Sequence, residues 1–232
     1  RSTLFPYTTL FRSTPALLNR FVNEPSAEFA NSIARHPAAT PQLLQAVAGK
    51  VDRMGIRELV KHKATPIGAL TVIAERMSRD PKGFDNYIVG ELLARPELPG
   101  EALAAFAGRT ESTLQGRLAA HRNTPVEVLE RLAGPQTRTL WVYLAQNPST
   151  PAALLERLAR SDESGSRAAI ASRADAPPSL LERLSEDSDL NVQSRALRNP
   201  SLPPGALDRF ANASSWNTRL NIALNPSTST SL

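Results

Sequence analysis

A leucine recurs along this chain at a fixed step. Leu18, Leu44, Leu70, Leu103, Leu129, Leu155, Leu181 and Leu207 stand 26 residues apart, with a single step of 33 between Leu70 and Leu103. A period of this length marks a repeat array, in which no unit buries its apolar face alone and stacked neighbours share one core. One inserted segment near 75–86, seven residues longer than the period allows, accounts for the irregular step.

The other columns keep the same step. Three residues after each anchor stand Phe21, Val47, Ile73, Phe106, Leu132, Leu158, Leu184 and Phe210, and the next column is almost all alanine. With an apolar residue before most anchors, this spacing predicts one face of a short helix. A second stripe follows fifteen and sixteen residues after each anchor: Ile33-Ala34, Leu59-Val60, Leu118-Ala119, Leu144-Ala145, Ile170-Ala171, Ala196-Leu197 and Ile222-Ala223. Leu92-Leu93 joins it once the insertion is allowed for, and the stripe predicts a second helix.

Start and stop signals share the period. Thr14-Pro15, Thr40-Pro41, Thr65-Pro66, Thr124-Pro125 and Thr150-Pro151 precede the first helices. The threonines are expected to cap first-turn N–H groups, and proline fits the first helical position, where its missing donor costs nothing. The second stripe ends at a polar residue, often followed by proline, as in His36-Pro37, Asn147-Pro148 and Asn199-Pro200. Proline disfavours helical geometry in the residue before it. The expected architecture is all-α, a solenoid of eight two-helix repeats from residue 14 to 227, with 228–232 the start of a ninth.

Residues 1–13 stand outside the pattern. Thr3 to Ser13 reads TLFPYTTLFRS, an in-frame translation of a common sequencing adapter, and is set aside as non-native. Leaving out Arg1 and Arg12 lowers the formal charge from +5 to +3, a small excess for a nucleic-acid binder. The chain has no cysteine, which excludes disulfides and thiolate metal sites and suits a reducing compartment; a cytoplasmic location is expected. No apolar run of about 18 residues is present, so no membrane partner is expected.

The segment Asn147 to Ala159, NPSTPAALLERLA, resembles the leucine-rich repeat variant family, and Asn199 to Ser201 and Asn225 to Thr228 restate its opening. The resemblance implies a right-handed superhelix in which an α-helix alternates with a shorter, often 3-10, helix; HEAT-like α/α pairs are the neighbouring architecture. The repeat here is slightly longer than is usual for the family. Some members carry a cysteine cluster for an iron–sulfur group; no residue here matches it, and no cofactor is expected.

Three columns could carry function. His36, His62 and His121 share a column with Arg95, Asn147, Arg173, Asn199 and Asn225, a composition that predicts a hydrogen-bonding cap between repeats and no metal site. Arg131, Arg157, Arg183 and Arg209 each follow an acidic residue, which predicts a solvated ion-pair ladder or a partner-binding stripe. Arg117, Arg138, Arg167, Arg195 and Arg219 fall on or near second helices, where Trp141 and Trp216 could stack on bases. No phosphate-binding loop, HExxH or nucleophile elbow is present, so no enzyme is expected. The sequence points to a scaffold for a protein partner; the alternative is a nucleic-acid-binding solenoid with an Arg-lined groove.

Overall fold

The computed structural model describes residues 14–80, 83–84 and 86–228. Residues 1–13, expected to be adapter-derived, and residues 229–232 of the expected ninth repeat lie outside the described residues, as do 81, 82 and 85 of the insertion. Among the described residues there is helix and no strand. The first helices of the eight repeats are α1 (Pro15–Phe21), α3 (Pro41–Val47), α5 (Ile67–Arg79), α7 (Gly100–Ala104), α9 (Val126–Leu132), α11 (Ala152–Leu158), α13 (Pro178–Leu184) and α15 (Pro204–Asp208). The second helices are α2 (Ala27–Arg35), α4 (Arg53–Lys61), α6 (Asn86–Leu93), α8 (Ser112–Ala120), α10 (Trp141–Gln146), α12 (Ser164–Ala171), α14 (Leu190–Leu197) and α16 (Trp216–Ala223). Both members of each pair are α-helical; a 3-10 helix occurs at Pro135–Leu140, leading into α10.

Helices this short are not stable alone, so the anchors must supply the cohesion. All eight anchor leucines are at most 2% exposed. Each stabilises by about 1.5–3 kcal/mol relative to an exposed side chain. The second stripe is equally covered: Ile33, Leu59, Leu118, Leu144, Ile170, Ala196 and Ile222 are buried. Gly55, four residues before Leu59, is hemmed in by Asn31 of α2 and by Val51; a Cβ there would collide with Asn31 Oδ1 and with the Val51 side chain.

The chain forms two compact units, divided after Pro125. Within the N-terminal unit, second helices of consecutive repeats pack as α2 on α4, α4 on α6 and α6 on α8. Within the C-terminal unit, α10 packs on α12, α12 on α14 and α14 on α16. Leu181, Leu197, Leu202, Leu207 and Ile222 form part of a continuous core there, joining consecutive repeats.

The threonines depart from expectation. Thr40 does cap, accepting from Leu43 N at 3.4 Å. Thr65, Thr124 and Thr150 instead donate their hydroxyls backwards, to Leu59 O (2.7 Å), Leu118 O (2.6 Å) and Leu144 O (2.6 Å). Those carbonyls belong to the last turn of the preceding second helix, and Leu118 O and Leu144 O also accept from the C-cap N–H groups of His121 and Asn147. The threonine therefore finishes one helix, and the proline after it starts the next.

Candidate functional site

The polar column after the second helix is built for backbone contact. Its residues are buried or partly buried, and each side chain has two ends that act differently. One end serves its own turn: His36, His62 and His121 accept at Nδ1 from the N–H groups of Ala38, Ala64 and Asn123 at 3.1–3.2 Å. Asn147, Asn199 and Asn225 do the same with Oδ1 from Ser149, Ser201 and Ser227 at 2.8–2.9 Å. The other end reaches back one repeat. His62 Nε2 meets His36 O at 3.2 Å, and His121 Nε2 meets Arg95 O at 2.9 Å. Because Nδ1 accepts, the hydrogen of these two rings sits on Nε2, the neutral tautomer.

Arginine performs the same task with a carboxylate added. Arg95 donates to Val60 O and His62 O, and its Nε to Glu97 at 2.8 Å. Arg173 donates to Ala145 O and Asn147 O, and pairs with Asp175 at 2.7 Å. In both cases the acid stands two residues on, where the neutral rungs offer a backbone N–H. The column is therefore a ladder of inter-repeat caps, in agreement with the sequence reading. Among the described residues no three His, Asp or Glu side chains converge to hold a metal ion.

The arginines of the first helices lie on an exposed face. Arg183 pairs with Glu156 at 2.9 Å, and Arg209 with Glu182 and Glu186 at 3.2 Å. Arg157 donates to Ala133 O at 3.4 Å, and Arg131 is exposed. Half-exposed pairs like these contribute about 0–1 kcal/mol each.

The arginines on or near second helices do not line one open positive groove. Arg167 holds Asp187 through two bonds of 2.7 and 2.9 Å, and both side chains are nearly buried. Burial pushes the Asp187 carboxyl up, but the Arg167 bonds, the Asp189 N–H and the Arg167 charge together outweigh it and leave it below the usual range. Arg138 pairs with Asp162, Arg195 bonds Ser172 and Asn191, and Arg219 donates to Ala213 O and Ser214 O. Arg117 remains exposed. Trp141 is half-buried beneath Arg138, 5.7 Å from ring centroid to guanidinium, so it is not a free stacking platform. Trp216 is 65% exposed at the start of α16.

Several helix N-termini are already occupied by acids. Asp52 accepts from Met54 N and Gly55 N at the start of α4, and Asp189 from Asn191 N and Val192 N at the start of α14. The backbone bond from Gly55 and the amide of Asn31 hold the Asp52 carboxyl below its usual range. Glu111, at the start of α8, is held down to about 2 by hydrogen bonds from Arg109. A phosphate arriving at these ends would meet a carboxylate instead of open N–H groups.

Sequence reasoning missed a second set of reach-back bonds. Asn123 donates to Pro96 O and Leu98 O, Ser201 to Ala174 O, and Ser227 to Pro200 O. The signal was available, since the three share a register twenty residues after their anchors.

No helix among the described residues is long and apolar enough to cross a membrane. Residues 113–174 match the model of the Leucine Rich Repeat Variant domain. No curated protein matches the chain. Among solved structures, a leucine-rich repeat variant with a novel repetitive protein structural motif aligns at 20% identity and a TM-score of 0.47, over 95% of this chain and 87% of that one. The family match thus covers residues 113–174, and the described residues of the chain form an all-helical repeat array.

Proposed function

We propose that the repeats form a non-enzymatic, cytoplasmic scaffold that binds another protein through the outward ends of its second helices. One observation carries this reading. Tyr87, Leu190 and Trp216 are 66%, 75% and 65% exposed, all at the first or second residue of a second helix. Leu190 and Trp216 occupy the same position in consecutive repeats. Large side chains standing in water at a repeated position are the anchors protein interfaces bury. The paired second-helix arginines and the acid-capped helix ends favour this reading over the nucleic-acid alternative.

The test is a Leu190→Asp, Trp216→Asp double variant. Both side chains are exposed, so its melting temperature should match the parent. It should lose the proteins that the parent retains from an extract of its source, identified by mass spectrometry. Titration with labelled oligonucleotides at about 50 and about 200 mM salt is the counter-test. Submicromolar binding that weakens about a hundredfold over that range would replace the protein reading with the nucleic-acid one.

A further inference from the structure

The departure from the 26-residue step has a structural consequence in the N-terminal unit. Helix α5 runs for thirteen residues, against seven in α3. The second helices on either side of it, α4 and α6, pack less closely than α2 and α4 do. Their seam opens into a cleft of about 420 Å³, lined by Val60, Lys61, Lys63, Glu91, Ala94, Arg95 and Glu97.

The charges in this cleft are not balanced. Arg95 and Glu97 satisfy each other at 2.6 Å, and the remaining donors of Arg95 go to backbone carbonyls. Lys63 is exposed and has no ion pair or hydrogen bond among the described residues. Lys61 has only the ring of Tyr87, 5.9 Å away. One turn before Ala94, Gly90 leaves room for Arg117 of α8; a Cβ on Gly90 would lie 3.1 Å from Arg117 Nε. Arg117 too has no charged partner among the described residues. Lys61 and Lys63, without an ion pair among the described residues, thus line the cleft with one carboxylate, Glu91, that has none either, beside Val60 and Ala94, while Arg117 stands across Gly90 of α6.

The geometry points to this cleft as the docking site for an acidic segment of a partner protein, whose carboxylates pair with Lys61 and Lys63 beside Tyr87. The inference rests on the scaffold reading and gives it a place and a chemistry. Charge complementarity argues for carboxylates spaced along a peptide: Glu91 and Glu97 leave positive charge only at the rim, which a continuous run of phosphates would overrun. The exposed ring of Tyr87 offers an apolar contact next to the Lys61 ammonium.

The test uses the whole chain and a short fluorescein-labelled peptide of alternating Glu and Ala, followed by anisotropy at about 50 and about 200 mM salt. The expected result is saturable binding, weakened several-fold by the added salt. Lys61→Glu with Lys63→Glu should weaken it by about tenfold or more, and Glu91→Gln should tighten it about twofold. Arg160→Glu, in the other unit, should leave it unchanged. If the double reversal unfolds the unit, Lys61→Gln with Lys63→Gln replaces it, with about a threefold loss expected. Absence of peptide binding, or binding indifferent to both lysine variants, overturns the inference. Tighter binding of a single-stranded oligonucleotide, lost in the same variants, assigns the cleft to nucleic acid and also overturns it. A protein partner that survives the lysine variants but is lost with Leu190→Asp, Trp216→Asp sinks the cleft while leaving the scaffold intact.

Discussion

In the N-terminal unit the ladder reaches back through His62, Arg95 and His121; in the C-terminal unit it reaches back through Arg173, Asn199 and Asn225. The difference lies in how many carbonyls each rung closes. Asn199 donates both amide hydrogens, to Ala171 O at 2.8 Å and Arg173 O at 2.7 Å. Asn225 repeats the arrangement on Leu197 O and Asn199 O at 2.6 and 2.9 Å. A neutral imidazole that accepts at Nδ1 has one hydrogen left, so His62 and His121 each reach one carbonyl of the preceding repeat. Arginine matches asparagine in reaching two carbonyls, but needs Glu97 or Asp175 to neutralise it. The anchors beneath do not differ between units, so packing and capping are separable in this protein.

The strongest way to break that separation is in the anchors themselves. Leu44→Ala in the N-terminal unit and Leu181→Ala in the C-terminal unit should each cost about 2–5 kcal/mol, because both side chains are fully buried. Hydrogen exchange resolved by peptide would report each unit separately. A loss under about 1 kcal/mol at one anchor and a large loss at the other would mean that the two cores are not equivalent.

A smaller effect distinguishes the rungs. Asn199→Leu leaves two buried carbonyls and the Ser201 N–H without their partner, and should cost about 3 kcal/mol. His62→Leu removes one reach-back bond and one local bond, and should cost about 1–2 kcal/mol. Equal losses would show that the second asparagine hydrogen contributes nothing, and that the two ladders are energetically alike.

The sequence made the anchors, both helical stripes and the identity of the polar column legible, because each is a residue type repeated at one register. It did not show which carbonyls the column serves. That depends on the preceding repeat lying within hydrogen-bond reach of the side chain, a fact of stacking and not of composition. Thr65, Thr124 and Thr150 stand five residues before their anchors, where Thr40 stands four before its own; that slip of one residue accompanies the change from capping forward to donating back. The imbalance in the α4–α6 cleft was equally hidden. Lys61, Lys63 and Glu91 belong to no repeated column, and only the cleft between α4 and α6 brings them onto one surface.

The finest test of the comparison exchanges one rung for another. His121→Asn puts an oxygen where Nδ1 accepts from Asn123 N, and an amide hydrogen where Nε2 meets Arg95 O. Asparagine already holds this geometry at residues 199 and 225, so no new backbone conformation is required. The amide is shorter than the ring, and the lost ring contacts offset part of what a second donor hydrogen adds. The net change should lie within about 1 kcal/mol of the parent. The reverse exchange, Asn199→His, keeps the local bond but surrenders one of two reach-back bonds, and should cost about 1 kcal/mol more than His121→Asn does. Paired denaturant titrations of the two variants measure that difference directly. If His121→Asn costs more than about 3 kcal/mol, the imidazole is needed for its shape, and the N-terminal ladder is a distinct device from the asparagine ladder that follows it.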